Sequence, residues 1–146
     1  MTSALLMLAL AGPVNAYPVS GVPMSFEPII DRYCHAYKVP KWLAMNVAKA
    51  ESSFRPLAHS GSSRGLFQIN ARYETWLADQ AGVKRFDWRN PDQSAMVGIA
   101  YLSTLTIRNH GNLRLTLASY NFGPANVASG KQWPKETIDY VSRCLR

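Results

Sequence analysis

KWLAMNVAKAESSF, residues 41–54, reads as an amphipathic helix that runs out at a carboxylate. Pro40 suits the first position of this helix, where a missing N–H costs nothing and the fixed φ is already helical. The helix is expected to extend from Lys41 to about Ser52. At about 100° per residue, Ala44, Val47 and Ala48 share the face that carries Glu51. That face is small and apolar and is expected to pack inward, with Asn46 and Lys49 turned to water. Glu51 then sits at the rim of an apolar surface. Desolvation disfavours its charged form and raises its pKa, and a raised pKa is what a general acid needs near neutral pH. An exposed glutamate at a helix end is the ordinary alternative, and periodicity alone does not choose between the two.

Outward from this helix the chain continues as helices broken by one polar loop. Residues 54–70 are rich in Ser and Gly and carry no helical period, so a loop with a small hairpin is expected there. Upstream, Ser25 can cap a helix running to about Tyr37, with Ile29, Ile30 and Tyr33 on its apolar side. Downstream, Arg72 to Ala81 reads as helical and Gly82 stops it. Asn90-Pro91-Asp92-Gln93 is a helix start, with an N-cap residue, Pro at the first position and Gln where a capping box places it. That helix is expected to reach Asn109 and end at Gly111, with an apolar stripe of Val97, Tyr101, Leu105 and Ile107. Asn112 begins another through about Tyr120, and Pro124 begins a short one ending near Gly130. Pro134 begins the last, which carries Ile138, Val141 and Leu145. The fold class is therefore mainly α.

With 146 residues and no repeat, one domain is expected, covering residues 25–146. Residues 1–16, MTSALLMLALAGPVNA, hold a short apolar run, Ala4 to Ala11, then Pro13 and a small-residue cleavage pattern ending at Ala16. They read as a secretory signal peptide, although the usual basic residues before the apolar run are missing. The run is too short to span a bilayer comfortably. Residues 17–24 (YPVSGVPM) read as a flexible lead-in. An exported protein of the periplasm or cell envelope is expected. Residues 1–16 are uncharged, so the net charge of +7 falls wholly on the rest of the chain and suggests an anionic partner. Cys34 and Cys144 show no metal-ligand spacing, and His35, His59 and His110 have neither metal spacing nor a paired nucleophile, so no metal and no cofactor are expected. In an oxidising compartment the two cysteines suggest a disulfide between the first helix and the last, against the alternative of two separate buried thiols.

Four blocks decide the functional reading: AESSF (50–54), GLFQIN (65–70), SYNFGP (119–124) and ETIDYV (136–141). Their order and spacing resemble the signature blocks of the soluble lytic transglycosylase family, and the resemblance covers about residues 25–145. It implies a lysozyme-like single domain with a glycan-binding cleft and Glu51 as catalytic acid/base. Glu51 would protonate the oxygen leaving between N-acetylmuramic acid and N-acetylglucosamine. It would then take the proton of the muramoyl 6-hydroxyl, giving a 1,6-anhydro sugar. The acids themselves are compatible with this. Ordinary glycosidases flank the bond with two carboxylates, yet no Asp or Glu lies between Ser52 and Tyr73.

The resemblance also implies supporting roles. Gln68 and Asn70 would offer amides to the sugar, and turn-stabilising side chains are the alternative. Tyr120 would hold the Glu51 carboxyl or the N-acetyl group, against the alternative of a core tyrosine. Ser60 would lie near the cleaved bond, although Arg64 stands where the family commonly has a small residue. Asn121 would face substrate or turn the chain before Gly123-Pro124. Ser52, Glu136 and Tyr140 would support the site from behind, with Glu136 bonded to nearby backbone or to Tyr120. Phe67 is a core or a sugar-facing residue, and which of Trp42, Trp76, Trp88 and Trp133 lines the cleft stays open. Peptidoglycan strands are the expected partner, a secretion or pilus complex is a candidate second one, and a monomer is expected. A hydrolytic muramidase of the goose-lysozyme kind and a non-catalytic wall-binding component are the competing readings. A nucleic-acid partner is not expected, because no recognition motif for one appears.

Overall fold

The computed structural model describes residues 25–146, so the expected signal peptide and lead-in lie outside the described residues. The order of elements is α1 (Glu27–Tyr37), α2 (Lys41–Ser52), β1 (His59–Ser60), β2 (Ser63–Arg64), β3 (Ile69–Asn70), α3 (Glu74–Ala81), α4 (Pro91–Arg108), α5 (Leu113–Phe122), α6 (Pro124–Ala128) and α7 (Lys135–Cys144). No helix among the described residues is long and apolar enough to cross a membrane.

Helix α4 is the spine. Val97, Gly98, Ile99, Leu102 and Leu105 are buried, and α1, α3 and α5 pack around it. Its start follows from the sequence. The Asn90 side-chain oxygen accepts from the Asp92 and Gln93 N–H groups at 3.0 and 3.4 Å. This satisfies donors that have no partner within the helix. Gln93 does not close the expected capping box. It reaches past Asn90 and accepts from the Asp87 N–H at 2.7 Å, tying the preceding loop to the helix. Asn112 caps α5 by accepting from Leu115 N–H at 3.1 Å, and Gly82 ends α3 with φ +81.

Three starts differ from the sequence pattern, each for a local reason. Helix α1 begins at Glu27, with Phe26 at the N-cap, and Ser25 makes only a long 3.4 Å contact to the Glu27 N–H. Pro28 occupies the first turn and has no N–H for a cap to satisfy. Pro40 stands one position earlier than expected, at the N-cap of α2. Helix α3 begins at Glu74, because the Asn70 side chain accepts from the Arg72 N–H at 2.9 Å and holds that stretch in a turn. Two stripe residues are exposed, Ile107 at 75% and Ile138 at 50%. Asn46, expected in water, instead donates to the Cys144 carbonyl at 2.9 Å and fastens α2 to α7.

The expected disulfide is absent. Cys34 and Cys144 are two separate buried thiols. Helix α2 packs against α1 on one side and α7 on the other. Cys144 Sγ faces the Asn46 carbonyl of α2, and Cys34 lies among α1 neighbours and Lys41. The intervening helix keeps the sulfurs apart.

The polar loop forms a small antiparallel sheet in the order β1-β2-β3, pairing His59 with Arg64 and Ser63 with Asn70. Between β2 and β3 the chain dives into the core, where Leu66 and Phe67 are fully buried. A Cβ on Gly98 would lie 2.5 Å from Phe67 Cβ and Cγ. The glycine therefore lets the Phe67 ring rest directly on the α4 backbone. Alanine would favour the helix by roughly 1 kcal/mol, but overpacking costs about 1–3 kcal/mol, so the clash wins. Gly98→Ala is expected to lower the urea midpoint. An unchanged or raised midpoint would show that Phe67 is not seated there.

Candidate active site

Helix α2 delivers Glu51 on its last turn and then stops abruptly. Ser53 and Phe54 adopt φ +51 and +58, left-handed values uncommon for residues with a side chain. The sharp turn folds the following loop back over the helix end. Buried Ser52 secures it, its hydroxyl donating to Leu66 O at 2.8 Å, with a second acceptor at Ala48 O. The loop is pinned twice more. Phe67 N–H donates to Ser94 Oγ at 3.2 Å, and the Tyr120 hydroxyl donates to Phe67 O at 2.9 Å. Gln68, at φ +49, spends its amide N–H groups on Ala58 O and Gly65 O, each at 3.0 Å.

Glu51 keeps some open surface, but the atoms packed round it strip water from the carboxyl. Burial pushes its pKa from an ordinary 4.5 to about 7, against the opposing pulls of Tyr140 and Arg143; the charge of Glu136 adds to the rise. All three belong to α7, at positions 136, 140 and 143 on one helical side. The Tyr140 hydroxyl favours the ionised carboxyl and also lies against the Cys144 thiol, yet it closes no hydrogen bond of ordinary geometry. Burial holds the Tyr120 and Tyr140 phenols well above their usual range, so both stay neutral donors.

A groove of about 630 Å³ opens beside Tyr120. Ser63, Gln68 and Asn70 line it from the loop, Tyr73, Trp76 and Leu77 from the α3 region, Tyr101 from α4, and Tyr120 to Asn126 from α5 and α6. No lining residue is acidic. Glu51 is not itself on the lining. It stands next to it, its charge bearing on the Tyr120 hydroxyl.

The structure brings Glu51, Ser52, Gln68, Tyr120 and Tyr140 together and redistributes their tasks. Tyr120 lines the groove with its hydroxyl given to the loop backbone, not to the Glu51 carboxyl. Asn70 and Asn121 both line the groove. Asn70 also makes its turn, and Asn121 accepts from Thr137 Oγ1 at 2.8 Å. Glu136 bonds neither to backbone nor to Tyr120 among the described residues; it is exposed and acts on Glu51 by charge alone. Ser60 is exposed on β1 and off the groove, which takes Ser63 from across the hairpin instead. Phe67 is core. Residues not foreseen are Ser94, Thr137, Arg143, Tyr73 and Tyr101. Ser94 alone carried a signal, a polar side chain on the buried face of an apolar helix.

The transglycosylase SLT domain model matches residues 28–141. The chain belongs to this family. Curated relatives include the soluble lytic murein transglycosylases of Escherichia coli K12 and of Escherichia coli O157:H7, each 26% identical over 111 residues. Those residues are 72% of this chain and 17% of either relative, so the chain spans less than a fifth of their length. Among solved structures it is similar to an inactive Glu-to-Gln mutant of the lytic transglycosylase Slt from Pseudomonas aeruginosa. The TM-score is 0.76 at 24% identity, covering 84% of this chain and 23% of that one. It is also similar to the 70 kDa soluble lytic transglycosylase of Escherichia coli, with TM-score 0.68 at 21% identity, covering 84% and 21%. The fold of the described residues is thus the mainly helical, lysozyme-like fold of the family.

The raised pKa of Glu51 has a consequence for stability. Between pH 4.5 and about 7 the folded protein holds a proton that the unfolded chain releases, so stability falls as pH rises through that window. The full cost above pH 7 is at most about 3 kcal/mol. Glu51→Gln removes this slope. In urea titrations the variant is expected to match the wild type below pH 4.5 and to exceed it at pH 8. Parallel curves at all pH values would show that the carboxyl is not desolvated.

Proposed function

We propose that the protein is an exported lytic transglycosylase that cleaves the β-1,4 bond between N-acetylmuramic acid and N-acetylglucosamine in peptidoglycan. The observation that carries this reading is a desolvated carboxyl, poised near pH 7, beside a groove whose lining contains no second acid. Family membership supports the reaction class. The Pseudomonas aeruginosa neighbour is described as inactive in its Glu-to-Gln form, which supports dependence on one glutamate there.

In this mechanism protonated Glu51 gives its proton to the glycosidic oxygen as the C1–O4 bond breaks. The carboxylate then takes the proton of the muramoyl 6-hydroxyl as O6 bonds to C1. Glu51 ends as it began, no water is consumed, and the product carries a 1,6-anhydro end. An internal hydroxyl replaces the carboxylate nucleophile or activated water that two-acid glycosidases use. Wall remodelling or local wall opening is the role such a product serves, with export directed by residues 1–16 and the chain acting as a monomer.

Glu136 favours one competing reading, because its charge bears on Glu51 and a hydrolase would use it to activate water. The two readings separate cleanly. Released muropeptides are expected to carry 1,6-anhydro ends by mass spectrometry, and predominantly reducing ends would assign a hydrolase. Glu51→Gln is expected to cut turnover by at least about 10²-fold. Glu136→Gln is expected to keep most of it and to shift the alkaline limb of the pH profile downward, since the charge that raises Glu51 is gone. Turnover lost with Glu136→Gln and retained with Glu51→Gln would overturn the assignment.

A further inference from the structure

The groove extends beyond what proton transfer at Glu51 requires. Its α3 wall carries Tyr73 and Trp76, which are 51% and 58% exposed. Large aromatic rings left open inside a groove are costly to hydrate and offer flat faces that suit the C–H face of a pyranose. The other tryptophans are placed differently. Trp88 is covered by the guanidinium groups of Arg64 and Arg89, at 5.3 and 6.0 Å from its ring, and Trp133 packs half-buried against the core. Trp42 is exposed on α2, outside the groove.

The same wall carries positive charge with nothing to neutralise it. The Arg72 guanidinium lies 5.6 Å from the Tyr73 ring centre. Arg108, two turns along α4 from Tyr101, is close enough for its charge to bear on the Tyr101 hydroxyl. Among the described residues neither arginine pairs with a carboxylate, whereas Arg32, Lys41, Arg64, Arg89 and Lys135 all do. Glu74, the acid nearest in sequence to Tyr73, is already held by Arg64 at 2.6 Å. Neither arginine is engaged in an ion pair among the described residues, and each lies beside a tyrosine of a groove whose lining has no acid.

We propose that this wall is a binding arm for an acid-bearing sugar, in which Trp76 and Tyr73 stack on the pyranose and Arg72 and Arg108 take the carboxylates carried by its muramoyl unit. The inference rests on the proposed function and deepens it, because it names the part of the strand that the distal groove recognises. Those carboxylates belong either to the lactyl group or to the stem peptide.

The test uses Glu51→Gln protein, which keeps the groove and does not consume the ligand. Its binding is measured by calorimetry to three probes: neutral chitohexaose, glycan strands stripped of peptide, and peptide-bearing strands. Trp76→Ala is expected to weaken binding of all three by about fivefold or more, the loss typical of a tryptophan anchor. Arg72→Gln with Arg108→Gln is expected to weaken acidic strands by about fivefold, to leave chitohexaose unchanged, and to flatten the salt dependence. A loss confined to stripped strands assigns the lactyl carboxylate, which is free there and amidated where the peptide is attached. A loss confined to peptide-bearing strands assigns the stem peptide, and losses on both show that the arginines accept either carboxylate. Charge variants that weaken no strand, or that weaken chitohexaose equally, would overturn the inference and leave the proposed function standing. Failure of the Glu51→Gln protein to bind any of the three probes would instead count against the function. The three side chains substituted in the Glu51→Gln parent, Arg72, Trp76 and Arg108, are exposed, so thermal melts of the variants are expected to match that parent.

Discussion

The backbone at Leu66 and Phe67 is the constraint on which the site depends. It enters the core between two short strands, and it cannot carry unsatisfied polar groups there without cost. Ser52 takes the Leu66 carbonyl, Ser94 accepts from the Phe67 N–H, and Tyr120 donates to the Phe67 carbonyl. These side chains come from α2, α4 and α5. Each bond is worth about 1 kcal/mol net, and leaving its buried partner open costs about 1–3 kcal/mol. The asymmetry matters more than the sum, since losing any one hydroxyl strands a buried backbone group. The loop thereby locks the end of the Glu51 helix to the helix that carries Tyr120. It also spends the hydrogen bonds of Ser52 and Tyr120 on architecture, so neither hydroxyl proton is free for the carboxyl.

That division leaves Glu51 to helix α7. Burial alone would push the acid further toward its neutral form. Tyr140 and Arg143 pull the other way, Glu136 restores part of the rise, and the balance settles near pH 7. A group that must be an acid in one half of a reaction and a base in the other gains from such a balance, because neither protonation state is far uphill. The Tyr120–Tyr101 ring pair, with centroids 5.4 Å apart, carries the wall on from beside the acid toward α3 and its exposed aromatics. Acid and groove therefore meet at one residue, although Glu51 does not line the groove.

Local chemistry was legible in the sequence, and long-range partnership was not. Asn90, Asn112 and Gly82 act within a few residues of themselves, and they end or begin helices as their side chains dictate. Glu51 was legible for the same reason, since the Ala44, Val47 and Ala48 face is a property of one helix and is buried. Ile107 and Ile138 share a helical stripe with buried residues but lie beyond the arc that a neighbour covers, which periodicity cannot measure. The pairing of Cys34 and Cys144 failed on a third element, α2, standing between them. Tyr120 lines the groove, but its hydroxyl goes to the Phe67 carbonyl and not to the Glu51 carboxyl, a partner 53 residues away that the sequence does not reveal. Trp76 was only one of four cleft candidates and the arginines had no signature, since the wall is assembled from the β3–α3 connection, α3 and the C-terminal half of α4.

Under the proposed function, the open surface that Glu51 retains acquires a purpose. A strand lying in the groove would cover it and expel the remaining water, and further desolvation raises a carboxyl's pKa. Substrate binding would thus load the acid with its proton at a pH where the free enzyme is only partly protonated. Once that proton has gone to the leaving oxygen, the site holds a new negative charge in a drier place than before, where electrostatic contacts are stronger. The Tyr140 hydroxyl, buried beside both the Glu51 carboxyl and the Cys144 thiol and without a closed hydrogen bond, is suited to this moment. It makes no closed bond to the resting acid, and it would close one to the carboxylate. A contact that strengthens as charge appears lowers the barrier, whereas one already formed in the resting state would only stabilise the starting point. The looseness of Tyr140 against the resting acid therefore serves the first half of the reaction, in which the carboxylate charge appears as the proton leaves, and gives no advantage to the second, in which the same bond would weaken Glu51 as a base.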